Sequence, residues 1–319
     1  MEIKRRDFLK VSAAGGLMLA ANADPALAAR EPKQRLPEAL GILYDATVCI
    51  GCKVCVSACK QHNDMPPDFS STDRTWDDPL DLSSRTLNII KLYKNGTGEV
   101  KDRETDGYSY IKRHCMHCVD PSCISACPVS ALTKNPENGV VRYNKNACIG
   151  CRYCQIACPF NIPKFQWDKA FPQIKKCQLC DHRYATGGYS ACCEFCPTGA
   201  SIFGRVDDLI KEAKRRLSLT PGEWAHYPIG RVDSKHTSYR QVTPYINHVY
   251  GEKEGGGTQF LMLSNVPFEK LGLPPLTDKP DAAVSEGIQH TIYKGMIAPI
   301  VFLGGMIYAV YQNTKNECE

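Results

Sequence analysis

Sixteen of the 18 cysteines in this chain fall into four groups of four. Every group contains a Cys-x2-Cys pair and ends in Cys-x3-Cys, and all but the first are followed by proline. In chain order the groups are Cys49, Cys52, Cys55 and Cys59; Cys115, Cys118, Cys123 and Cys127; Cys148, Cys151, Cys154 and Cys158; and Cys177, Cys180, Cys192 and Cys196. Cysteine runs of this kind supply the four thiolates that hold a [4Fe–4S] cluster. The pattern therefore predicts four [4Fe–4S] clusters.

The second and third groups predict two clusters that share ligands. In bacterial two-cluster ferredoxins, the fourth cysteine of each run binds the other cluster. By this rule site 3 contains Cys115, Cys118, Cys123 and Cys158, and site 4 contains Cys148, Cys151, Cys154 and Cys127. Because each run reaches across to its neighbour, the two clusters are held close together, as rapid electron transfer requires.

Zinc and disulfide bonds are the alternatives for cysteines in sets of four. Neither explains the compact x2-x2-x3 repeat, and a zinc-stabilised scaffold would be colourless.

The x3 spacing to Cys196 selects Cys192 as the ligand, so we interpret Cys193 as a spare core thiol. His114 and His117 flank the second group, but four cysteines already serve each cluster. We therefore expect both histidines around the cluster or at the surface rather than on iron.

The remaining sequence lacks the signs of catalysis or nucleic-acid binding. The formal net charge is only +5, and no basic stripe is interleaved with aromatic residues. No nucleophile–base pair or carboxylate pair stands out, and Gly255-Gly256-Gly257 lacks the Lys-Ser/Thr of a phosphate loop. These features predict an electron-transfer protein without a catalytic site of its own.

The first 28 residues have the pattern of an export signal. Arg5-Arg6 is followed by Phe8-Leu9-Lys10, by an apolar stretch rich in alanine, and by the cleavage pattern Ala26-Leu27-Ala28. Paired arginines before such a stretch are typical of the twin-arginine route, with an ordinary Sec signal as the alternative. We predict a twin-arginine signal peptide over residues 1–28 and a place on the periplasmic side of the inner membrane.

A second apolar run lies near the C-terminus. Residues 295–311 carry no charge, and about 17–20 apolar residues suffice for a helix to span a membrane. We predict a transmembrane anchor over 291–312 and a cytoplasmic tail over 313–319, in which Cys318 has no partner. The alternative is a buried amphipathic helix.

Local patterns predict a mixed α+β body over 29–219, which would form the four-cluster module. Residues 87–93 and 108–112 have strand character on either side of the turn signal Asn95-Gly96, which predicts an inserted hairpin. Residues 206–217 have the apolar spacing of an amphipathic helix.

Residues 220–290 are rich in proline, glycine and aromatic residues, with a predicted strand only at 259–263. We predict an extended segment that contacts partner subunits. The predicted fold is therefore α+β, with two intertwined bacterial-ferredoxin-like two-cluster domains and an inserted hairpin. An extended C-terminal segment and one C-terminal transmembrane helix complete the prediction.

Together these features resemble a known family. The chain looks like the four-cluster ferredoxin-type subunits of membrane oxidoreductases, and it is most similar to the iron–sulfur subunits of hydrogenase-2, an uptake nickel–iron hydrogenase. The resemblance covers nearly the whole chain and is carried by residues 115–121, 127–132, 250–259 and 288–296. The cysteine groups define the broad family, and the last two stretches narrow it to the hydrogenase type.

The resemblance implies a pairing of the first and fourth groups that spacing alone does not give. Site 1 then contains Cys49, Cys52, Cys55 and Cys196, and site 2 contains Cys177, Cys180, Cys192 and Cys59. The implied partners are the small and large hydrogenase subunits, which split hydrogen, and an integral membrane subunit that reduces quinone. The alternative is the equivalent relay subunit of a molybdopterin oxidoreductase, such as a formate dehydrogenase or a sulfur-compound reductase.

Single cysteine replacements test the ligand assignment. Cys151→Ser is expected to remove or convert one cluster, because Cys151 is an assigned ligand, whereas Cys193→Ser is expected to leave every cluster in place. Iron analysis and EPR spectroscopy of the anaerobically purified variants measure the difference. Equal cluster loss in the two variants would show that the fourth group is wrongly assigned.

Overall fold

The computed structural model describes residues 30–69, 73 and 76–314. The chain divides into two compact units, of which one is Lys33–Pro280 and contains all four cysteine groups. The described part of the other unit consists of residues 30–32 and 281–314. The predicted signal peptide over 1–28 and Cys318 lie outside the described residues.

Strands and helices alternate irregularly along the described residues, as in a mixed α and β fold. The strands are β1 Leu40–Asp45, β2 Ile89–Lys94, β3 Val100–Lys101, β4 Gly107–Arg113, β5 Leu132–Lys134, β6 Val141–Tyr143, β7 Lys164–Phe165, β8 Ile174–Lys175, β9 Ser201–Arg205, β10 Trp224–Pro228, β11 Gly230–Arg231, β12 Thr237–Gln241 and β13 Phe260–Leu263. The α-helices are α1 Val54–His62, α2 Ser122–Ser125, α3 Tyr153–Ile156, α4 Ala191–Glu194, α5 Val206–Leu217 and α6 Asp281–Thr314, with short 3-10 helices at Asp181–Thr186 and Glu254–Gly256.

A four-stranded sheet in the order β11-β9-β1-β13 forms the centre of the larger unit. Ile42 of β1 lies opposite Phe203 of antiparallel β9 and opposite Phe260 of parallel β13. β1 is buried along nearly its whole length, as its apolar run predicts for a strand covered on both faces. Since β13 belongs to the 220–290 segment, part of that segment completes this chain's own core. Contact of its remainder with partner subunits stays a prediction.

The predicted hairpin is present next to the cysteine groups. β2 pairs antiparallel with β4, with Leu92 opposite Tyr110. Gly96 has a φ of 56°, which glycine adopts without the clash of a Cβ atom. The connection is longer than the turn signal suggested, because β3 lies within it and pairs parallel with β4. β4 ends at Arg113 and delivers the chain directly to the second cysteine group.

α5 covers the central sheet with the apolar face that its sequence predicts. Val206, Leu209 and Ala213 are buried at helical spacing. Acidic side chains occupy its first turn and basic ones its last, which suits the helix dipole. The predicted helix at 206–217 is therefore confirmed with the same bounds.

A buried charge network joins α5 to the end of β1. Arg216 and Asp45 are both fully buried, and Arg216 Nη1 donates to Asp45 Oδ2 at 2.9 Å. The Arg216 Nε donates to Glu212 Oε1 at 2.8 Å. The Tyr245 hydroxyl also donates to Asp45 Oδ2, at 2.8 Å, so the 220–290 segment takes part in the same network. Such a pair is stable only while both partners are present, since either one alone would be an uncompensated buried charge.

Arg216→Met tests this network. Loss of one partner of a buried pair costs about 3–5 kcal/mol, so we expect the thermal unfolding midpoint to fall by about 6–12 °C. Lys211→Met is the matched control, because Lys211 pairs with Asp208 at 3.0 Å on the exposed face of the same helix. Differential scanning calorimetry of the iron-loaded proteins measures both midpoints. Equal shifts would contradict the network's role.

The predicted transmembrane anchor over 291–312 is wrong. α6 spans 34 residues, so its length would suffice. Within the part of the chain that the structure describes, however, no helix is both long enough and apolar enough to cross a membrane. The uncharged run 295–311 is the second half of a longer helix whose earlier turns carry Asp281 and Glu286. In this unit Glu286 forms an ion pair with Arg30.

Candidate iron–sulfur sites

A left-handed residue precedes the second cysteine of each group. These residues are Gly51, His117, Gly150 and Leu179, with φ of 70°, 48°, 73° and 56°. Glycine tolerates this conformation, but a residue with a Cβ atom pays about 1–2 kcal/mol for it. The structure therefore repeats the same tight loop four times, twice against the conformational preference of the residue.

The loops direct backbone N–H groups at sulfur. In three of them, the N–H of the left-handed residue donates to the first cysteine of the group. The N···Sγ distances are 3.4 Å from Gly51 to Cys49, 3.4 Å from Gly150 to Cys148 and 3.3 Å from Leu179 to Cys177. Because an N–H donor stabilises negative charge on the atom that accepts from it, these loops favour thiolates.

Three cavities are each lined by four assigned cysteines. The cavity of site 1 is lined by Cys49, Cys52, Cys55 and Cys196; that of site 2 by Cys59, Cys177, Cys180 and Cys192; and that of site 4 by Cys127, Cys148, Cys151 and Cys154. The structure thus brings together the first and fourth groups, whose pairing spacing alone could not give. α1 packs on α4, and α2 packs on α3, so that each pair of groups is joined by its helices.

The cysteines of site 3 also converge. Burial raises the pKa of Cys118 well above its usual range, and Cys123, Cys158 and Cys115 raise it further. Burial likewise raises the pKa of Cys123 to about 12, with Cys115 and Cys158 among the further causes. Thiols affect one another in this way only at short range, so the assigned ligands of site 3 are neighbours.

Thiols of successive sites are close to one another. Cys192 raises the pKa of Cys55, Cys115 raises that of Cys177, and Cys154 raises that of Cys123. Site 1 therefore adjoins site 2, site 2 adjoins site 3, and site 3 adjoins site 4.

Exposed residues lie beside sites 1 and 4, the first and last sites in this order. Cys52 of site 1 is exposed, and the adjacent Ile50 is 52% exposed. Cys151 of site 4 is partly exposed, and the adjacent Ile149 is 66% exposed. Large exposed apolar side chains beside both terminal sites are suited to contact with other proteins.

Two lysines lie among the thiols, the half-buried Lys134 and the buried Lys176. Lys134 donates to the carbonyls of Cys118 and Val119 at 2.6 and 3.1 Å. Burial lowers the pKa of Lys134 to about 8, which the thiol of Cys118 partly offsets. Lys176 donates to the carbonyl of Cys177 at 3.0 Å. Cations in these positions reduce the cost of negative charge on the sulfur atoms.

The sequence comparisons show which family the chain belongs to. The chain is 47% identical over 319 residues to the hydrogenase-2 operon protein HybA of Escherichia coli O157:H7, which covers 99% of this chain and 97% of that relative. The chain belongs to the HybA family. The same identity and coverage hold for HybA of Shigella flexneri. The formate dehydrogenase-O iron–sulfur subunit of Escherichia coli K12 is 34% identical over 218 residues, covering 68% of this chain and 67% of that relative.

A 4Fe–4S dicluster domain matches residues 107–206. The match begins at β4 and includes the second, third and fourth cysteine groups. Membership of the HybA family and this domain together confirm the predicted iron–sulfur electron-transfer subunit of the hydrogenase-2 type.

The donor sets fit the clusters that HybA-family membership and the dicluster domain imply. Among the described residues, no three His, Cys, Asp or Glu side chains converge on a point where one metal ion could bind. The four thiols of sites 1, 2 and 4 instead surround cavities. Thiols spaced around a cavity suit a cubane in which each iron takes one thiolate.

His114 and His117 are both fully buried, so a surface position is excluded for either. His117 Nδ1 accepts a hydrogen bond from the Val141 N–H at 3.0 Å, which leaves its proton on Nε2. That Nε2 has no hydrogen-bond partner among the described residues. A buried donor within the loop that carries Cys115 and Cys118 is a further feature that suits a sulfur-rich anion.

Cys193 lies against a ligand rather than apart from the sites. It is fully buried, and its thiol lowers the pKa of the neighbouring Cys192 below the usual range despite burial. The cavity of site 2 is lined by Cys192 and not by Cys193. The interpretation of Cys193 as a non-ligand stays a prediction, and Cys193→Ser tests it.

Sequence reasoning missed the charged and strained parts of these HybA-family sites. Lys176 directly precedes Cys177, the first cysteine of the fourth group. A lysine at such a position could have been predicted to lie near the anionic sulfur ligands, because a buried ammonium requires a counter-charge. Leu179 carries no signal of its left-handed backbone, since leucine rarely adopts it.

Two matched glycine replacements test the loop geometry. Gly51→Ala would place a Cβ atom 2.4 Å from the Tyr110 ring, whereas Gly150→Ala would meet only Phe165, at 3.5 Å. Both variants share the left-handed strain of about 1–2 kcal/mol. We expect Gly51→Ala to lose the iron of site 1 and Gly150→Ala to keep full iron content, as measured by iron analysis per chain. Full iron in both variants would contradict the proposed fit of this loop against Tyr110.

Proposed function

We propose that this chain relays single electrons through four [4Fe–4S] clusters between a periplasmic nickel–iron hydrogenase core and a quinone-reactive integral membrane subunit. The observation that carries the proposal is the succession of four neighbouring cysteine sites, of which sites 1, 2 and 4 surround cavities. When bound, each cluster supplies one-electron redox chemistry, and the chain's residues supply spacing, burial and charge.

The spacing between sites follows from the local helices. Cys55 of site 1 and Cys59 of site 2 both lie in α1, four residues apart. A rise of 1.5 Å per residue separates their backbone positions by only about 6 Å along the helix. Cys192 and Cys196 link the same two sites at the same sequence separation, as do Cys123–Cys127 and Cys154–Cys158 for sites 3 and 4. Because two ligands of different sites lie four residues apart in the same segment, the clusters that they bind are held at a short distance from each other.

The exposed residues beside sites 1 and 4 support a relay between two partners. An electron that enters at one of these two sites and leaves at the other would pass sites 2 and 3. The family relationship to the hydrogenase-2 operon protein HybA favours the hydrogenase small and large subunits as the electron source. The same family resemblance favours an integral membrane subunit as the electron acceptor.

The relay subunit of a molybdopterin enzyme complex is the second candidate. It is favoured by the formate dehydrogenase-O iron–sulfur subunit, which is 34% identical over 68% of this chain. The hydrogenase assignment has the stronger support, because the HybA match extends over 99% of the chain, including residues 250–259 and 288–296.

Metal analysis of the native complex separates the two candidates. Anaerobic affinity purification through this chain is expected to yield iron together with nickel, because the proposed partner is a nickel–iron hydrogenase. Molybdenum without nickel would contradict the hydrogenase assignment and favour the alternative. Hydrogen-dependent reduction of the bound clusters, followed by EPR spectroscopy, tests the relay itself.

The periplasmic location is proposed from the paired arginines of the first 28 residues. Replacement of Arg5 and Arg6 by lysine is expected to leave the iron-loaded chain in the cytoplasm, because the twin-arginine route reads this pair. Glu2→Gln serves as a control outside the pattern that runs from Arg5 to Lys10. Cell fractionation with immunoblotting measures the distribution, and export of the double lysine variant would contradict the proposal.

A further inference from the structure

Lys112 occupies an unusual position in the interior of β4. It is fully buried and is among the largest side chains with no exposure. Because side chains alternate along a strand, Lys112 shares a face with Tyr110, the residue that contacts the loop of site 1 at Gly51. A lysine at this point lies between the cysteine groups rather than at the edge of the sheet.

The contacts of Lys112 reach both site 1 and site 2. Its Nζ donates to Ser201 Oγ at 3.0 Å, and Ser201 lines the cavity of site 1. The charge of the same ammonium interacts with the thiols of Cys192 in site 2 and Cys55 in site 1. One cation therefore faces ligands of two neighbouring sites.

Lys112 has no carboxylate partner. Over residues 30–69, 73 and 76–314, no Asp or Glu oxygen is paired with its Nζ within 4.0 Å. Lys60, another buried lysine, differs in this respect, because Asp68 lies 2.9 Å from its Nζ. A buried ammonium requires compensation, and the sulfur ligands of sites 1 and 2 are the anions that Lys112 contacts.

With clusters bound, Lys112 stays charged, because the thiolate ligands of sites 1 and 2 supply the negative charge that a buried ammonium requires. Net charge and hydrogen bonds to sulfur are two of the properties that set the potential of an iron–sulfur cluster. A fixed cation stabilises the reduced form of a cluster more than the oxidised form, because reduction adds one negative charge.

The geometry points to Lys112 as the residue that raises the reduction potentials of the clusters in sites 1 and 2 together, so that an electron entering this half of the relay is held by the pair. This inference rests on the proposed four-cluster function. A cluster bound in site 1 or site 2 would accept one electron from an adjoining redox centre outside the pair, and Lys112 would keep its proton. Lys134, which lies beside Cys118, would act on site 3 in the same way but on no other site.

Potentiometry of the full chain, followed by EPR spectroscopy, tests the inference. In Lys112→Met we expect two of the four clusters to become harder to reduce, with at least a tenfold lower ratio of reduced to oxidised cluster at a fixed potential, equal to about 59 mV for a one-electron couple. Lys112→Arg should retain the wild-type potentials because it keeps the charge. Lys134→Met is the control, and it should shift one cluster at most.

Lys112→Gln covers the case in which the methionine variant fails to bind iron, since glutamine removes the charge but can still donate to Ser201. Loss of iron from two sites in both neutral variants, with full iron in Lys112→Arg, would show that sites 1 and 2 depend on the positive charge at position 112. Unchanged potentials in either neutral variant, an equal shift of all four clusters, or loss of iron in Lys112→Arg would overturn the inference. Absence of four one-electron couples in the wild-type chain would instead refute the proposed function.

Discussion

Cluster ligation requires thiolates that lie close together, but burial in the protein interior disfavours the ionised form of a thiol. Much of the structure offsets this free-energy cost. Burial raises the pKa of Cys55 to about 12 and that of Cys154 to about 11, so these thiols keep their protons in the absence of metal. Metal ligation requires thiolates and therefore releases those protons. The N–H donors of the tight loops and the buried lysines offset part of the charge that ligation creates. Metal binding and the final fold are consequently linked.

β4 shows how one element meets several of these needs. Its partner β2 fixes it in the hairpin, its Tyr110 contacts the loop of site 1, and its Lys112 lies between sites 1 and 2. The strand then leads into Cys115 of site 3. The hairpin that sequence patterns describe as an insert thus connects three of the four sites.

The sequence predicts the parts of this arrangement that depend on local spacing. Cysteine spacing gives the four groups, and apolar periodicity gives α5 with its observed bounds. The parallel pairing of β13 with β1 could not be predicted, because Ile42 and Phe260 are joined only by tertiary packing. The strained backbone at Leu179 is hidden for a similar reason, since the surrounding loop imposes it against the preference of the residue.

The error at the C-terminus has a different origin. An uncharged run of 17 residues at 295–311 suggested a separate membrane span. In the structure the run continues a helix that begins at Asp281, and the polar residues of its earlier turns belong to the same element. A window placed on the apolar half alone could not reveal where the helix begins.

The most direct test of the account is Mössbauer spectroscopy of the anaerobically purified, ⁵⁷Fe-labelled chain, combined with assays of iron and acid-labile sulfide. Four cubane clusters predict about sixteen iron and sixteen sulfide per chain, with all of the iron in [4Fe–4S] form. Iron without sulfide, or zinc in place of iron, would show that the cysteine-lined cavities do not hold clusters and that the chain is not an electron relay.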